Sequence, residues 1–155
     1  MTTWTPKEAS LLEDLKKQEQ LCVEKYSQYA AKASDSELQT IFSTIRDIEQ
    51  QHLQTITGMI AGQLPESQPQ SSQTGKPSTV PPPQGQAANT PAWQQDAYLC
   101  QDALCTEKEV SGAYDTAVFE FRTPAARQAL NEIQRAEQHH GEMLYAYMAR
   151  HGMYA

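Results

Sequence analysis

One pattern occurs twice in this chain in a single register: Glu-x6-Tyr followed further on by Glu-x-x-His. Glu19, Tyr26, Glu49 and His52 are answered by Glu107, Tyr114, Glu137 and His140, and 107 − 19, 114 − 26, 137 − 49 and 140 − 52 all equal 88. Thirteen glutamates and four histidines occupy the 155 positions. Random placement would yield roughly a third of one Glu-x-x-His, and here there are two. The fold therefore has to bring two equivalent halves together, and each half carries acids and an imidazole at helical spacing.

The surrounding residues predict what each half is. Apolar side chains recur with helical period: Leu11, Leu15, Cys22, Tyr26, Tyr29 and Ala33; Leu38, Ile41, Ile45, Ile56 and Met59; Cys100, Ala103, Val110, Tyr114, Ala117 and Phe121; Ala126, Leu130, Ile133, Leu144 and Met148. Each stripe has a gap in its middle, and the gap is filled by Glu19, by Glu49 and His52, by Glu107, or by Glu137 and His140. Thr5-Pro6-Lys7-Glu8 supplies an N-cap, a first-turn proline and a capping-box glutamate. Thr90-Pro91 and Thr123-Pro124 repeat the Thr-Pro start, Ser34 or Asp35 caps a second helix, and Gly62 ends it. The predicted helices are about 6–33, 36–61, 91–121 and 124–150, to within two to four residues. Between them, residues 63–91 are dominated by proline, glutamine, serine and glycine, with Leu64 and Val80 the only aliphatic residues beyond alanine. Such a stretch cannot pack a core and reads as an extended connector. It divides one bundle domain into a first helical hairpin, 1–62, and a second, 92–155.

The register also works in three dimensions. Glu19 lies 15 positions before residue 34 and Glu49 lies 15 after it, and Glu107 and Glu137 straddle residue 122 in the same way. In tight antiparallel hairpins all four reach one height. Four carboxylates in a core are very costly unless compensated. Two divalent cations would cancel their formal −4 and take His52 and His140 as further ligands. That set is the di-iron or di-manganese arrangement of ferritin-like bundles. The expected fold is thus all-α, a ferritin-like four-helix bundle of two hairpins joined by a long crossover connector. Its expected metal ligands are Glu19, Glu49, His52, Glu107, Glu137 and His140, for two divalent ions, iron or manganese. Tyr26 and Tyr114 either pack in the core or hydrogen-bond to a ligand glutamate. His139 is expected at the surface and His151 at a helix C-terminus. Glu24, Glu109, Glu120 and Glu142 are expected in solvent, and Cys22 and Cys105 are expected to pack as small hydrophobes.

Composition narrows the function. Twelve basic against nineteen acidic residues leave a net charge of −7, which argues against nucleic acid and against an anionic membrane surface. No apolar run approaches a membrane span. The polar start of the chain, Met1 to Lys7, lacks the apolar stretch of a signal peptide, so cytoplasmic synthesis is expected. Cys22, Cys100 and Cys105 form no C-x-x-C pair, which removes a rubredoxin-type iron site and a zinc ribbon.

The stretches LLEDLKKQEQLCVEKYSQYA and EQQHLQTITGMIAGQLP, and the segment from QDAYLC to the HGMY near the chain end, resemble the spore coat protein F (coat F) family of endospore-forming bacteria in both halves, the connector excluded. Glu19-x6-Tyr26 with Glu49-x-x-His52 is similar to the wider ferritin and rubrerythrin superfamily, whose ligand positions fall on the same six residues. The chain departs from rubrerythrins in lacking rubredoxin-type cysteines and from storage ferritins in lacking a fifth helix. The resemblance implies a place in the spore coat, with other coat proteins or further copies of this chain as partners. Two functions follow. One is a structural or interaction protein of the coat, with Tyr145, Tyr147 and Tyr154 as a tyrosine-bearing tail and no catalytic residue. The other is a di-iron or di-manganese oxidoreductase, acting in peroxide or oxygen detoxification or in iron oxidation.

Overall fold

A computed structural model describes residues 1–66 and 89–154. Most of the connector expected at 63–91 lies outside the described residues. The described residues form α1 (Pro6–Lys32), α2 (Ser36–Ile60), α3 (Pro91–Glu120) and α4 (Pro124–Arg150), with no strand among them. The four expected helices are present, three of them ending one residue earlier than anticipated. Each begins with its proline or serine in the first turn, where a missing or unpaired N–H costs nothing. Thr5 and Glu8 form the capping box expected of them. Asp35 caps α2, and the Thr90 hydroxyl accepts from the Trp93 N–H. Thr123 holds the N-cap position of α4 without a side-chain bond.

α1 packs along α2 and α3, and α4 packs along α3 and α2, so the four helices form a bundle with α1 and α4 on one diagonal. α2 ends beside the start of the chain: the Thr2 N–H donates to the Gly62 carbonyl at 3.0 Å. Gly62 has φ +82°, and a Cβ there would lie 2.9 Å from the Thr2 carbonyl oxygen, so only glycine closes this corner. α3 begins at the opposite end, where Asp96 accepts from the N–H groups of Ser34 and Asp35 at 2.8 and 3.0 Å. The first hairpin thus ends at one end of the bundle and the second begins at the other.

The core runs the length of this bundle, from Leu12, Met59 and Leu130 to Leu38, Phe42, Met148 and Tyr147, all almost completely buried. Four expectations are corrected. Leu12 rather than Leu11, and Phe42 rather than Ile41, face inward, while Leu11 and Ile41 flank the core half-buried. Tyr147 is not part of an exposed tail: it is fully buried, and its hydroxyl donates to Asp35 at 2.6 Å. Cys105 is exposed, whereas Cys22 and Cys100 pack inside as small hydrophobes. Tyr145 and Tyr154 are partly exposed and meet edge to face.

Glu8 does more than cap its own helix. Its Oε1 also accepts from the backbone N–H of Arg122, in the α3–α4 turn, at 3.0 Å. Burial opposes its ionisation, but the N–H groups of Arg122 and Thr5 and the Arg122 guanidinium outweigh that, and hold its pKa at about 2 against the usual 4.5. A native pKa below the unfolded one contributes stability above about 4.5, and that contribution is lost as the pH falls toward 2. Glu8→Gln is expected to cost about 2 kcal/mol near neutral pH. In urea denaturation series the gap to wild type should shrink steadily below pH 4.5. A gap that does not change with pH would remove this account of Glu8.

Candidate metal centre

Six expected side chains converge at mid-height of the bundle. Glu19, Glu49 and His140 are completely buried, Glu137 and Glu107 nearly so, and His52 is 8% exposed. Each helix supplies its share because the ligand positions continue its apolar stripe: Glu19 stands between Leu15 and Cys22, and Glu107 between Ala103 and Val110. On α2 and α4, Glu and His at i and i+3 stand one turn apart on the inner face.

The ligand atoms form two overlapping groups, each within 4.8 Å. One holds Glu19, Glu49, His52 and Glu137, and the other holds Glu49, Glu107, Glu137 and His140. Glu49 and Glu137 belong to both. His52 Nδ1 lies 3.0 Å from Glu137 Oε1, and His140 Nδ1 lies 3.0 Å from Glu49 Oε1. The two imidazoles face each other with centroids 6.2 Å apart. The Tyr26 hydroxyl donates to Glu107 Oε1 and the Tyr114 hydroxyl to Glu19 Oε1, each at 2.5 Å. Of the two readings of these tyrosines, hydrogen bonding to a site glutamate is the one the geometry shows, and both rings also sit in the core.

Seven buried polar side-chain atoms make no hydrogen bond: Glu19 Oε2, both Glu49 oxygens, Glu107 Oε2, Glu137 Oε2 and both ring nitrogens of His140. Every such orphan among the described residues belongs to this one cluster. Buried polar groups are nearly always paired, so a concentration of this kind marks atoms placed for something other than each other. Hard carboxylate oxygens and imidazole nitrogens in groups of four, within reach of a common centre, are a donor set that suits divalent first-row metals. The residues present fit such ions.

Electrostatics agree with a site unable to keep its charges bare. Burial first, then the neighbouring Glu49, pushes Glu19 up to about 9. Burial, with Glu107 and Glu49 adding to it, pushes Glu137 up to about 12. Glu49 moves the other way: burial opposes its ionisation, but His140 and His52 outweigh that and hold it below the usual carboxylate range. His140 is raised to about 11 by Glu107, Glu137 and Glu49 against the effect of burial. Protons thus take the place of countercharge.

His139 is exposed beside Glu142, and His151 is the C-cap of α4, as expected. Glu24, Glu109 and Glu142 are exposed, and Glu120, half-buried, pairs with Lys7. A further group the sequence did not single out, Asp35, Glu37 and His151, lies at the end of the bundle where α3 begins. There Tyr147 donates to Asp35 and Arg150 pairs with Glu37, so its acids already have partners. No helix among the described residues is long and apolar enough to cross a membrane.

Compared with known proteins, residues 95–155 match the family model of the Coat F domain, which spans nearly all of α3 and the whole of α4. The resemblance expected in the first hairpin has no counterpart in that match. Neither the curated proteins nor the solved structures give a match.

Tyr26→Phe and Tyr114→Phe each add an orphan carboxylate oxygen to the cluster. Each is expected to lower the stability of the metal-free protein by about 1–3 kcal/mol in denaturant titrations. Because the two contacts are equivalent, the costs should be similar. Unchanged stability in both would show that the hydroxyls do not hold these glutamates.

Proposed function

We propose that this chain is a ferritin-like bundle of the spore coat whose core holds two divalent cations, iron or manganese, and that the ions act as a structural staple. One observation carries the metal reading: the seven orphaned polar atoms fall on five of the six buried side chains whose ligand atoms gather in two groups, each within 4.8 Å. Glu19 and His52 would hold one ion, Glu107 and His140 the other, with Glu49 and Glu137 shared between them. Each outer glutamate has one oxygen fixed by a tyrosine and the other free for an ion. Bound, such a pair cross-links all four helices and removes the cost of the four acids. The place in the coat is supported by the Coat F domain match over residues 95–155, and the partners are then other coat proteins or further copies of this chain.

The second reading, a dinuclear oxidoreductase acting on peroxide or dioxygen, is favoured by a specific feature. A cleft between α3 and α4 of about 510 Å³ is lined in part by Glu107 and Glu137, so an opening from the surface reaches residues of the cluster. Such an ion pair supplies a two-electron redox centre to a small oxidant. The chain's own residues would hold it, and this cleft would give a small oxidant an approach.

Metal analysis of the purified protein is expected to give two ions per chain. Adding Mn2+ or Fe2+ to stripped protein should raise its melting temperature in a concentration-dependent way. Glu49→Ala combined with Glu137→Ala should abolish both effects. No bound metal and no stabilisation would overturn the metal reading. Peroxide consumption by loaded protein, lost in the double variant, would establish the oxidoreductase over the staple. A fluorescent fusion absent from the coat of sporulating cells would overturn the coat assignment.

A further inference from the structure

The two halves keep the same ligands but differ in what stands over them. Offset by 88, Gly112 and Gly141 of the second hairpin correspond to Glu24 and Leu53 of the first, and Ser111 corresponds to Val23. An open cleft lies on the side where the residues are small: Glu107 and Glu137 are among its lining residues, Gly112 and Gly141 belong to its walls, and Lys108 and Asp115 stand exposed at its rim.

Nothing in the backbone requires these glycines. Both lie inside helices, and neither has a positive φ. A Cβ on Gly112 would meet nothing within 4 Å, and a Cβ on Gly141 would meet only Leu104 Cδ1 at an ordinary 3.7 Å. Glycine is the least favourable helix residue after proline. Two of them in helix interiors with room for a side chain therefore weaken the helices without repairing any close contact. A helical glycine of this kind has a packing or functional reason when it has no conformational one. A third, Gly58, sits in the last turn of α2, away from this face.

We propose that the cleft between α3 and α4, kept open by Gly112 and Gly141, is the path by which divalent cations reach and leave the buried glutamates. The inference rests on the dinuclear reading above. Asp115 at the rim and Glu107 and Glu137 below offer successive carboxylates to a cation that is losing its water. At the equivalent positions the first hairpin carries Val23, Glu24 and Leu53, whose larger side chains would narrow such a passage.

The test is the rate of Co2+ uptake by metal-stripped full-length protein, followed by the visible absorption of the bound ion, and the rate of its removal by a chelator. Gly141→Leu restores the side chain of the first hairpin, and Gly112→Leu fills the same space from the other wall. Either is expected to slow both rates at least tenfold while the protein still binds two ions per chain. Leu53→Gly, on the opposite hairpin, serves as the comparison and should leave them within about twofold of wild type. Should Gly141→Leu fail to fold by circular dichroism, Gly112→Leu carries the test, because its side chain has open space. Wild-type rates in a folded, fully loading Gly112→Leu protein would overturn the route while leaving the metal centre intact. A wild-type protein that takes up no Co2+, Mn2+ or Fe2+ would overturn the metal centre itself, and the route with it.

Discussion

Four carboxyl groups and two imidazoles occupy one level of a bundle only four helices wide, and the rest of the molecule is arranged around the cost of that. Charged groups taken out of water lose far more than a hydrophobic residue in the same place gains. The helices above and below the cluster compensate with apolar layers, Leu12 and Met59 on one side and Leu38 and Met148 on the other. The cluster interrupts that core at the level where an ordinary bundle would place its best packing. A fold that kept such a layer without use for it would be more stable after replacing it with leucines, which is why the layer reads as a site.

The offset of 88 residues is expressed as an exchange of contacts between the halves. Tyr26 reaches across to Glu107, and Tyr114 reaches across to Glu19. His52 approaches Glu137, and His140 approaches Glu49. At the ends of the bundle, Glu8 accepts from the N–H of Arg122, and Asp96, 88 positions later, accepts from the N–H of Ser34, which lies 88 before Arg122. In each case a side chain of one hairpin satisfies a group of the other. Neither hairpin completes the cluster, nor ties down its own turn, by itself. The segment that matches the Coat F domain thus supplies half of every one of these pairs.

Much of this was legible in the sequence because the informative residues repeat. Helix starts were marked by Thr-Pro and Asp-Ser, and the inward position of the six site residues followed from gaps in apolar stripes. What was less legible depended on phase and on distance. Leu11 and Leu12, like Ile41 and Phe42, are neighbours one helical step apart, and a stripe read at period 3.6 does not separate two adjacent apolar residues until the partner helix is in place. Tyr147 was read with Tyr145 and Tyr154, yet it is directed at Asp35, a partner 112 positions away. Glu8 was visible as a local cap, but its bond to Arg122 spans 114 positions and has no local signal. Glu8 and Asp96 do share the 88-residue offset, so the repeat contained a clue to their common role that helix-capping rules alone do not use.

The same cluster shows how such a layer survives before any ion reaches it. Burial and neighbouring acids push Glu19 and Glu137 toward the protonated form, while His140 and His52 hold Glu49 toward the charged one. Cations binding there would have to displace those protons, so loading and proton release are a single event. The bundle can then fold first, as a protonated core held by the tyrosines and the apolar layers, and exchange protons for cations afterward. Metal would then not be needed to reach the fold, unlike in small metal-nucleated domains that are unfolded without their ion. The ions would instead add cross-links to helices already in position, and the effect expected of them is on the lifetime and stability of an existing structure.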